Sequence, residues 1–183
     1  MSKSFQQIKA LGWPAASAHT EQRGKSMTHA PKKSPTLSRV TLHHLMTPAH
    51  ANALGNVHGG VIMRLVDECG AISAMRHAHR PCVTIAIDSM TFREPVHVGA
   101  LLMCEARVSY VGRTSIETSV RVHSENPVTG QTTHTNSAYV VYVALGEDGR
   151  PTTVPELELE TDEDRKLFAE GVERQRHRIA HAG

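Results

Sequence analysis

The sequence lacks any long apolar run near its start. Its first 36 residues are rich in Ser, Lys, Gln and Pro, without the apolar segment of a signal peptide or a membrane span. We therefore predict a flexible N-terminal arm over residues 1–36 and no membrane partner. The charge also lacks bias, since 20 basic and 18 acidic side chains leave a formal net charge of +2. Such a chain has no overall field to attract nucleic acid, and we expect none as a partner.

Cysteine is scarce and its number is odd. Cys69, Cys82 and Cys104 each lie within an apolar segment. Three such thiols fit a reducing compartment better than a disulfide framework, so we expect a cytoplasmic protein. The 13 histidines are scattered, and pairs such as His77 with His79 lack the third and fourth ligands of a metal site. We predict no metal.

The most informative stretch runs from residue 48 to residue 80. A polar loop leads to Gly59-Gly60, and apolar positions then repeat with a helical period. One broad face of this predicted helix is apolar and suits packing on a sheet: Val61, Ile62, Leu65, Val66, Cys69 and Ile72. The other side is a stripe of mostly small residues around one carboxylate: Gly60, Met63, Asp67, Gly70, Ala71 and Ala74.

Asp67 has unusual neighbours for a helical carboxylate, because they are Gly and Ala rather than Lys, Glu and Gln. We interpret it as a group in a cleft or at a contact rather than a solvated charge. At the start of the helix, Gly59-Gly60 leaves backbone N–H groups free for an oxyanion. Gly60 and Asp67 are roughly 10 Å apart along the helix axis. A site that uses both is built most simply by two antiparallel copies of the helix, which predicts a two-fold dimer with shared sites.

Three segments after the helix alternate with a period of two, which predicts strands; a short first strand and a last strand are predicted as well. The predicted strands span residues 38–46, 82–92, 102–110, 116–123 and 132–145. A tight hairpin with Gly112 at positive φ is predicted between the third and fourth. A second helix is predicted from Thr161, with an acidic first turn and arginines near its end. The pattern predicts an α+β fold: one long central helix against an antiparallel sheet of about five strands, plus a C-terminal helix.

The segment Asn52-Ala53-Leu54-Gly55-Asn56-Val57-His58-Gly59-Gly60, followed by Asp67, resembles the signature of the hot-dog-fold acyl-CoA thioesterases of the cytosolic acyl-CoA hydrolase type, which include bacterial single-domain members. Four shorter motifs continue the resemblance as far as residue 145: Phe92-Arg93-Glu94-Pro95 with Gly99, Val111-Gly112-Arg113-Thr114-Ser115, Ser124-Glu125-Asn126 with Thr129-Gly130, and Thr135-Asn136. The resemblance implies a hot-dog fold. We place that domain at residues 37–150, with a C-terminal extension at 151–183.

The family's activity implies hydrolysis of acyl-CoA to a fatty acid and coenzyme A. By this resemblance Asp67 is the general base or the nucleophile, and Asn52 orients the water or the carbonyl. Backbone N–H groups of Gly59 and Gly60 would hold the thioester oxygen. His58 would either contact the substrate or cap the helix. No cofactor is expected, because the coenzyme A thioester is itself the substrate.

The resemblance also assigns coenzyme A binding to the hairpin Gly112, Arg113, Thr114 and Ser115, with Arg93 and Asn136 as further candidates. It implies a homo-oligomer, a trimer of dimers. Within the site, Glu68 is an alternative to Asp67, although a surface ion pair with Arg64 also explains it. Asn56 and His58 are alternatives to Asn52.

Two other functions fit the same fold. One is a non-hydrolytic acyl-CoA sensor, and the other is a hydratase or dehydratase that would use His58 with Asp67. Release of free thiol distinguishes hydrolysis from both.

Overall fold

The computed structural model describes residues 32–181. Most of the predicted N-terminal arm lies outside this range, but its last residues contact the domain. The Lys33 N–H donates to Glu156 O at 2.8 Å, and the Glu158 N–H donates to Lys33 O at 3.0 Å. The chain just before the first strand is thus bonded to the segment that follows the last one. Neither helix within 32–181 is long and apolar enough to cross a membrane.

Five antiparallel strands form a single sheet. They are β1 (Val40–Leu45), β2 (Cys82–Phe92), β3 (Leu101–Val111), β4 (Ser115–Glu125) and β5 (Thr132–Ala144). Their spatial order is β1-β3-β4-β5-β2, so β1 and β2 are the two edges. The predicted α+β architecture is confirmed, and each strand lies within about two residues of its predicted position.

The long helix α1 (Gly59–Ala78) contacts all five strands. Its predicted apolar face is largely buried, but Ile72 is 36% exposed, whereas Gly70 and Ala74 on the predicted small-residue stripe are buried. The sheet contacts a wider part of the helix surface than the predicted apolar face. Tyr142 on β5 therefore packs against Gly70 on the predicted small-residue stripe. Gly70 therefore accommodates a side chain of the sheet.

The second helix, α2 (Asp162–His181), has the predicted acidic first turn and basic last turn, and it covers part of the opposite face of the sheet. Glu117, which the alternation assigns to a polar outer face, is fully buried beneath it. Arg174 Nη2 donates to Glu117 Oε1 at 2.8 Å, and Arg178 Nη1 donates to Glu117 Oε2 at 3.0 Å. Arg178 also pairs with Asp88 on β2. These ion pairs thus attach α2 to the central strand β4 and to the edge strand β2.

The hairpin between β3 and β4 corrects one prediction. Gly112 does not have a positive φ; within 32–181 the glycines that do are Gly55, Gly99, Gly130 and Gly149. A Cβ at Gly112 would instead approach Ser115 Oγ to 2.7 Å. The glycine therefore leaves room for the Ser115 side chain in its observed position and does not supply a left-handed backbone.

The C-terminal end of α1 contains a buried histidine. His77 is fully buried, and its Nε2 lies 2.9 Å from Pro155 O. Lys33 Nζ donates to the last carbonyls of the helix, those of Arg76 and His77. Burial lowers the pKa of His77 below its ordinary value of 6.5, and the positive charge of Lys33 lowers it further, although the hydrogen bond to Pro155 opposes both effects. His77 is therefore held neutral in the folded chain.

This histidine predicts that stability falls on acidification. Below pH 6.5 the unfolded chain binds a proton at position 77 that the folded chain does not, so unfolding becomes more favourable as the pH falls. Between about pH 7.5 and about pH 5.5 we expect wild type to lose about 1 kcal/mol more than His77→Gln. Urea unfolding of both proteins across this range measures the difference, with the exposed His43→Gln as control. Parallel pH dependences of wild type and His77→Gln would contradict the prediction.

Candidate active site

A cavity of about 440 Å³ lies at the N-terminal end of α1. The loop before the helix contributes Asn52 and Asn56, the helix contributes Gly59, and the end of β2 contributes Phe92 and Arg93. Three of the predicted site residues, Asn52, Gly59 and Arg93, thus line one space. It has both apolar and polar walls, as sites for small ligands do.

The side chain of Asn52 organises the loop. Its Oδ1 accepts hydrogen bonds from the N–H of Leu54 at 2.9 Å and from the N–H of Asn56 at 3.2 Å. This local turn fixes the amide plane. No acceptor contacts Nδ2 within residues 32–181, so the two N–H groups of the amide stay available as donors to a ligand.

The start of α1 shows His58 in one of its two predicted roles, that of a helix cap. Its Nδ1 accepts a hydrogen bond from the Gly60 N–H at 2.9 Å, which makes His58 the N-cap of the helix. The Gly60 N–H is therefore occupied, and the expectation that both glycines offer a free donor is wrong for this one. The Gly59 N–H has no acceptor in the described part of the chain and remains the candidate oxyanion donor.

Asp67 is held by one of its two carboxylate oxygens. Thr84 Oγ1 donates to Asp67 Oδ1 at 2.8 Å, and Tyr142 Oη donates to the same oxygen at 3.3 Å. Among residues 32–181 no donor contacts Oδ2. The side chain is thus oriented but half-open, with one oxygen left for a water molecule or a substrate. Asp67 does not line the cavity that contains Asn52.

Thr84 and Tyr142 were not predicted as site residues. Alternation indicates only that Thr84 lies opposite to Val83 and Ile85, and it does not show that β2 faces Asp67. Tyr142 is part of an apolar strand pattern that predicts a core residue, and it is indeed fully buried. Neither position has a local signal for a hydroxyl beside a carboxylate.

The predicted coenzyme A residues are separated within one chain. The hairpin at 112–115 lies beside the start of β2, because the Ala144 N–H donates to Thr114 O while Ala144 pairs with Cys82. Arg93 follows the other end of β2, roughly 30 Å away by strand rise. Asn136 is fully buried, and its Nδ2 donates to Thr91 O at 3.0 Å. It joins β5 to β2 and has no surface open to a ligand here.

The contacts of Glu68, the alternative to Asp67, explain why a carboxylate lies at that position. Glu68 pairs with Arg64 at 2.8 Å on the exposed side of α1, as its alternative explanation predicted. This i,i+4 ion pair leaves Asp67 as the carboxylate of interest on the helix.

The cysteines offer no competing nucleophile at neutral pH. Burial raises the pKa of Cys69 to about 11 and the pKa values of Cys82 and Cys104 to about 12. All three are free thiols. Within residues 32–181, no group of three or more His, Cys, Asp or Glu side chains is placed to hold a metal ion.

Comparisons with known proteins relate both the fold and this site to enzymes. A family model described as the thioesterase superfamily matches residues 54–131. The acyl-CoA thioester hydrolase YciA of Salmonella typhimurium is 38% identical over 120 residues, which are 63% of this chain and 90% of that protein. A solved apo-hexameric acyl-CoA thioesterase is 37% identical with a TM-score of 0.80, over 84% of this chain and 98% of its own. The acyl-CoA hydrolase of Staphylococcus aureus, solved with butyryl coenzyme A and coenzyme A, is 31% identical with a TM-score of 0.76, over 82% of this chain and 92% of its own.

Alanine variants of the Staphylococcus aureus enzyme have also been solved, with an Asn, an Asp and a Thr replaced in turn. The Asp follows the Asn by 15 residues, and the Thr follows the Asp by 17. The same separations lead here from Asn52 to Asp67 and from Asp67 to Thr84.

Proposed function

Because this chain belongs to the acyl-CoA thioester hydrolases of the thioesterase superfamily, we propose that it hydrolyses acyl-CoA to a free carboxylic acid and coenzyme A at a site formed by Asp67, Thr84 and Asn52. The observation that carries this proposal is the geometry of Asp67. One carboxylate oxygen is fixed by two hydroxyl donors and the other is left without a donor within residues 32–181. The matching Asn, Asp and Thr separations in the Staphylococcus aureus enzyme support the same three positions.

The chemistry follows from these contacts. Asp67 Oδ2 removes a proton from a water molecule that attacks the thioester carbonyl, or it attacks the carbonyl itself and water later cleaves the acyl-enzyme. In both routes the C–S bond breaks and coenzyme A leaves as the thiol. Asn52 donates to the water or the carbonyl, and the Gly59 N–H stabilises the oxyanion. The acyl donor is already activated, so the proposed reaction uses no cofactor or metal.

We propose further that each site is shared between two chains. Asp67 is absent from the cavity lined by Asn52, and β2 is an open edge strand whose apolar side chains remain exposed: Val83 by 40%, Ile85 by 58% and Ile87 by 36%. Such an edge favours pairing with a second strand. A second copy of the chain would give these three side chains a partner.

The pairing of two β2 strands explains how the residues meet. An antiparallel pair centred on Ile87 places position 84 opposite position 90 of the partner subunit. The cavity at the end of the partner's β2, with its Asn52 and Gly59, then lies near Asp67 and Thr84. The same operation places the hairpin at 112–115 near the partner's Arg93, which reunites the two parts of the predicted coenzyme A site.

The larger assembly and the location are proposed on more general grounds. The apo-hexameric thioesterase and a hexameric thioesterase of Yersinia pestis are both 37% identical to this chain, which supports a hexamer, and we propose that it is a trimer of such dimers. The three free thiols suit a reducing compartment, which supports a cytoplasmic location.

The proposed activity predicts release of free thiol from acyl-CoA. We expect the purified protein to release stoichiometric coenzyme A from at least one member of a series of saturated acyl-CoAs of increasing chain length, detected with a thiol reagent. Crotonyl-CoA, an enoyl substrate, tests the alternative, because a hydratase consumes its double bond without releasing thiol. Binding of acyl-CoA without thiol release at any chain length would favour the sensor and contradict the proposal.

A further inference from the structure

Tyr142 lies directly behind the proposed catalytic carboxylate. It is fully buried on β5, and its hydroxyl donates both to the backbone carbonyl of Asp67 at 3.0 Å and to Asp67 Oδ1 at 3.3 Å. A buried tyrosine needs a partner for its hydroxyl, but a backbone carbonyl alone would satisfy it. The second contact, with the side chain, is the one that bears on chemistry.

The helix is shaped to admit this hydroxyl. Gly70 lies one turn after Asp67, and a Cβ at that position would overlap the Tyr142 hydroxyl oxygen and come within 2.7 Å of Thr118 Oγ1. Any other residue at position 70 would therefore push the tyrosine away from Asp67. Gly in a helix interior is less favourable than Ala, so this geometry lowers the stability of α1 itself.

We propose that Tyr142 is a positioning residue for the hydrolysis, and that it fixes the rotamer of Asp67 so that Oδ2 is presented to the reacting water or thioester. The inference rests on the proposed function of Asp67. Thr84 and Tyr142 approach the same oxygen from two different strands, β2 and β5. Two donors on Oδ1 define the plane of the carboxylate better than one donor does, and they leave only Oδ2 for chemistry.

The environment keeps Tyr142 a donor throughout the working pH range. Burial raises the pKa of the Tyr142 hydroxyl far above its ordinary value of 10, and the negative charge of Asp67 raises it further. The hydroxyl therefore does not compete with Asp67 as a base. Its contribution is orientation.

The test is Tyr142→Phe, which removes one oxygen and retains the ring in the core. With the acyl-CoA that gives the highest thiol release, we expect kcat to fall about tenfold while KM stays within about twofold, because the lost contact orients the reacting group rather than the substrate. Tyr139→Phe is the matched control on the same strand, and we expect its kcat to be unchanged. Thermal unfolding shows that both variants remain folded.

A double-mutant cycle separates positioning from general loss of structure. In an Asp67→Asn background, Tyr142→Phe should change the residual kcat by less than about twofold, since the group that it orients is no longer a base. A full tenfold loss in that background, or a wild-type kcat in Tyr142→Phe alone, would overturn the inference while the proposed function stands. Wild-type activity of Asp67→Asn itself would overturn the proposed role of Asp67, and this inference with it.

Discussion

Asp67→Ala is expected to lower kcat for acyl-CoA hydrolysis by about three orders of magnitude or more, with a much smaller change in KM. The substitution removes the group that takes the proton from water or attacks the thioester, and in the structure no other carboxylate of α1 is placed to replace it. Thiol release by the purified variant measures the loss, and circular dichroism shows that it is folded. The fold should tolerate the change, since Asp67 is only half-buried.

Glu68→Ala is the matched control for this variant. It removes a carboxylate from the next position of the same helix, where the side chain is exposed and paired only with Arg64. Such exposed pairs contribute little to stability, so we expect activity within about twofold of wild type. Equal losses in the two variants would show that charge on the helix matters rather than the position of Asp67, and would contradict the proposed mechanism.

Mixing two inactive variants is expected to restore activity. Asn52→Ala and Asp67→Ala each disable every site when present alone. After dissociation and reassembly at equal amounts, about half of the dimers contain one chain of each kind, and each mixed dimer has one site with both residues intact. We therefore expect about one quarter of wild-type thiol release per chain.

The double variant Asn52→Ala/Asp67→Ala provides the control for mixing. Paired with wild type, it leaves both sites of a mixed dimer with one residue missing, so an equal mixture should show about one quarter of wild-type activity rather than one half. No recovery in the first mixture and about one half of wild-type activity in the second, with mixed dimers confirmed by native mass spectrometry, would place Asn52 and Asp67 of one site in one chain.

The features that the sequence predicts depend on residues that are close together in the chain. The helical period around Asp67 and the period of two in three later segments predict the α+β fold, because each period shows which side of an element faces the core. Neighbouring residues likewise predict the loop that contains Asn52, and they predict that Gly59 lies at the N-terminus of the helix. In the structure Asn52 and Gly59 line one cavity, and Arg93, assigned by the resemblance to coenzyme A binding, lines it as well.

The unpredicted part depends on pairs far apart in the chain. Thr84 and Tyr142 reach Asp67 from 17 and 75 residues away, and no spacing rule relates them. Glu117 follows the alternation of an exposed position, but α2 covers it with Arg174 and Arg178. Gly112 matches a turn signal, but glycine occurs in turns both where φ is positive and where a side chain would be crowded. The residue type alone therefore did not determine φ at this position.

The attachment of α2 has a consequence for the order of events during synthesis. Arg174 and Arg178 lie on α2, which follows all five strands in the chain, so they leave the ribosome after the strands do. Until then the Glu117 carboxylate on the emerging sheet has neither arginine and must stay hydrated, because an unpaired charge is not buried. The outer face of β4 therefore closes only after α2 has been synthesised, and Asp88 on β2 gains its contact with Arg178 when that helix docks. The sheet can form before α2 is available, but β2, the edge proposed to pair with a second subunit, takes its final form only when the helix is in place.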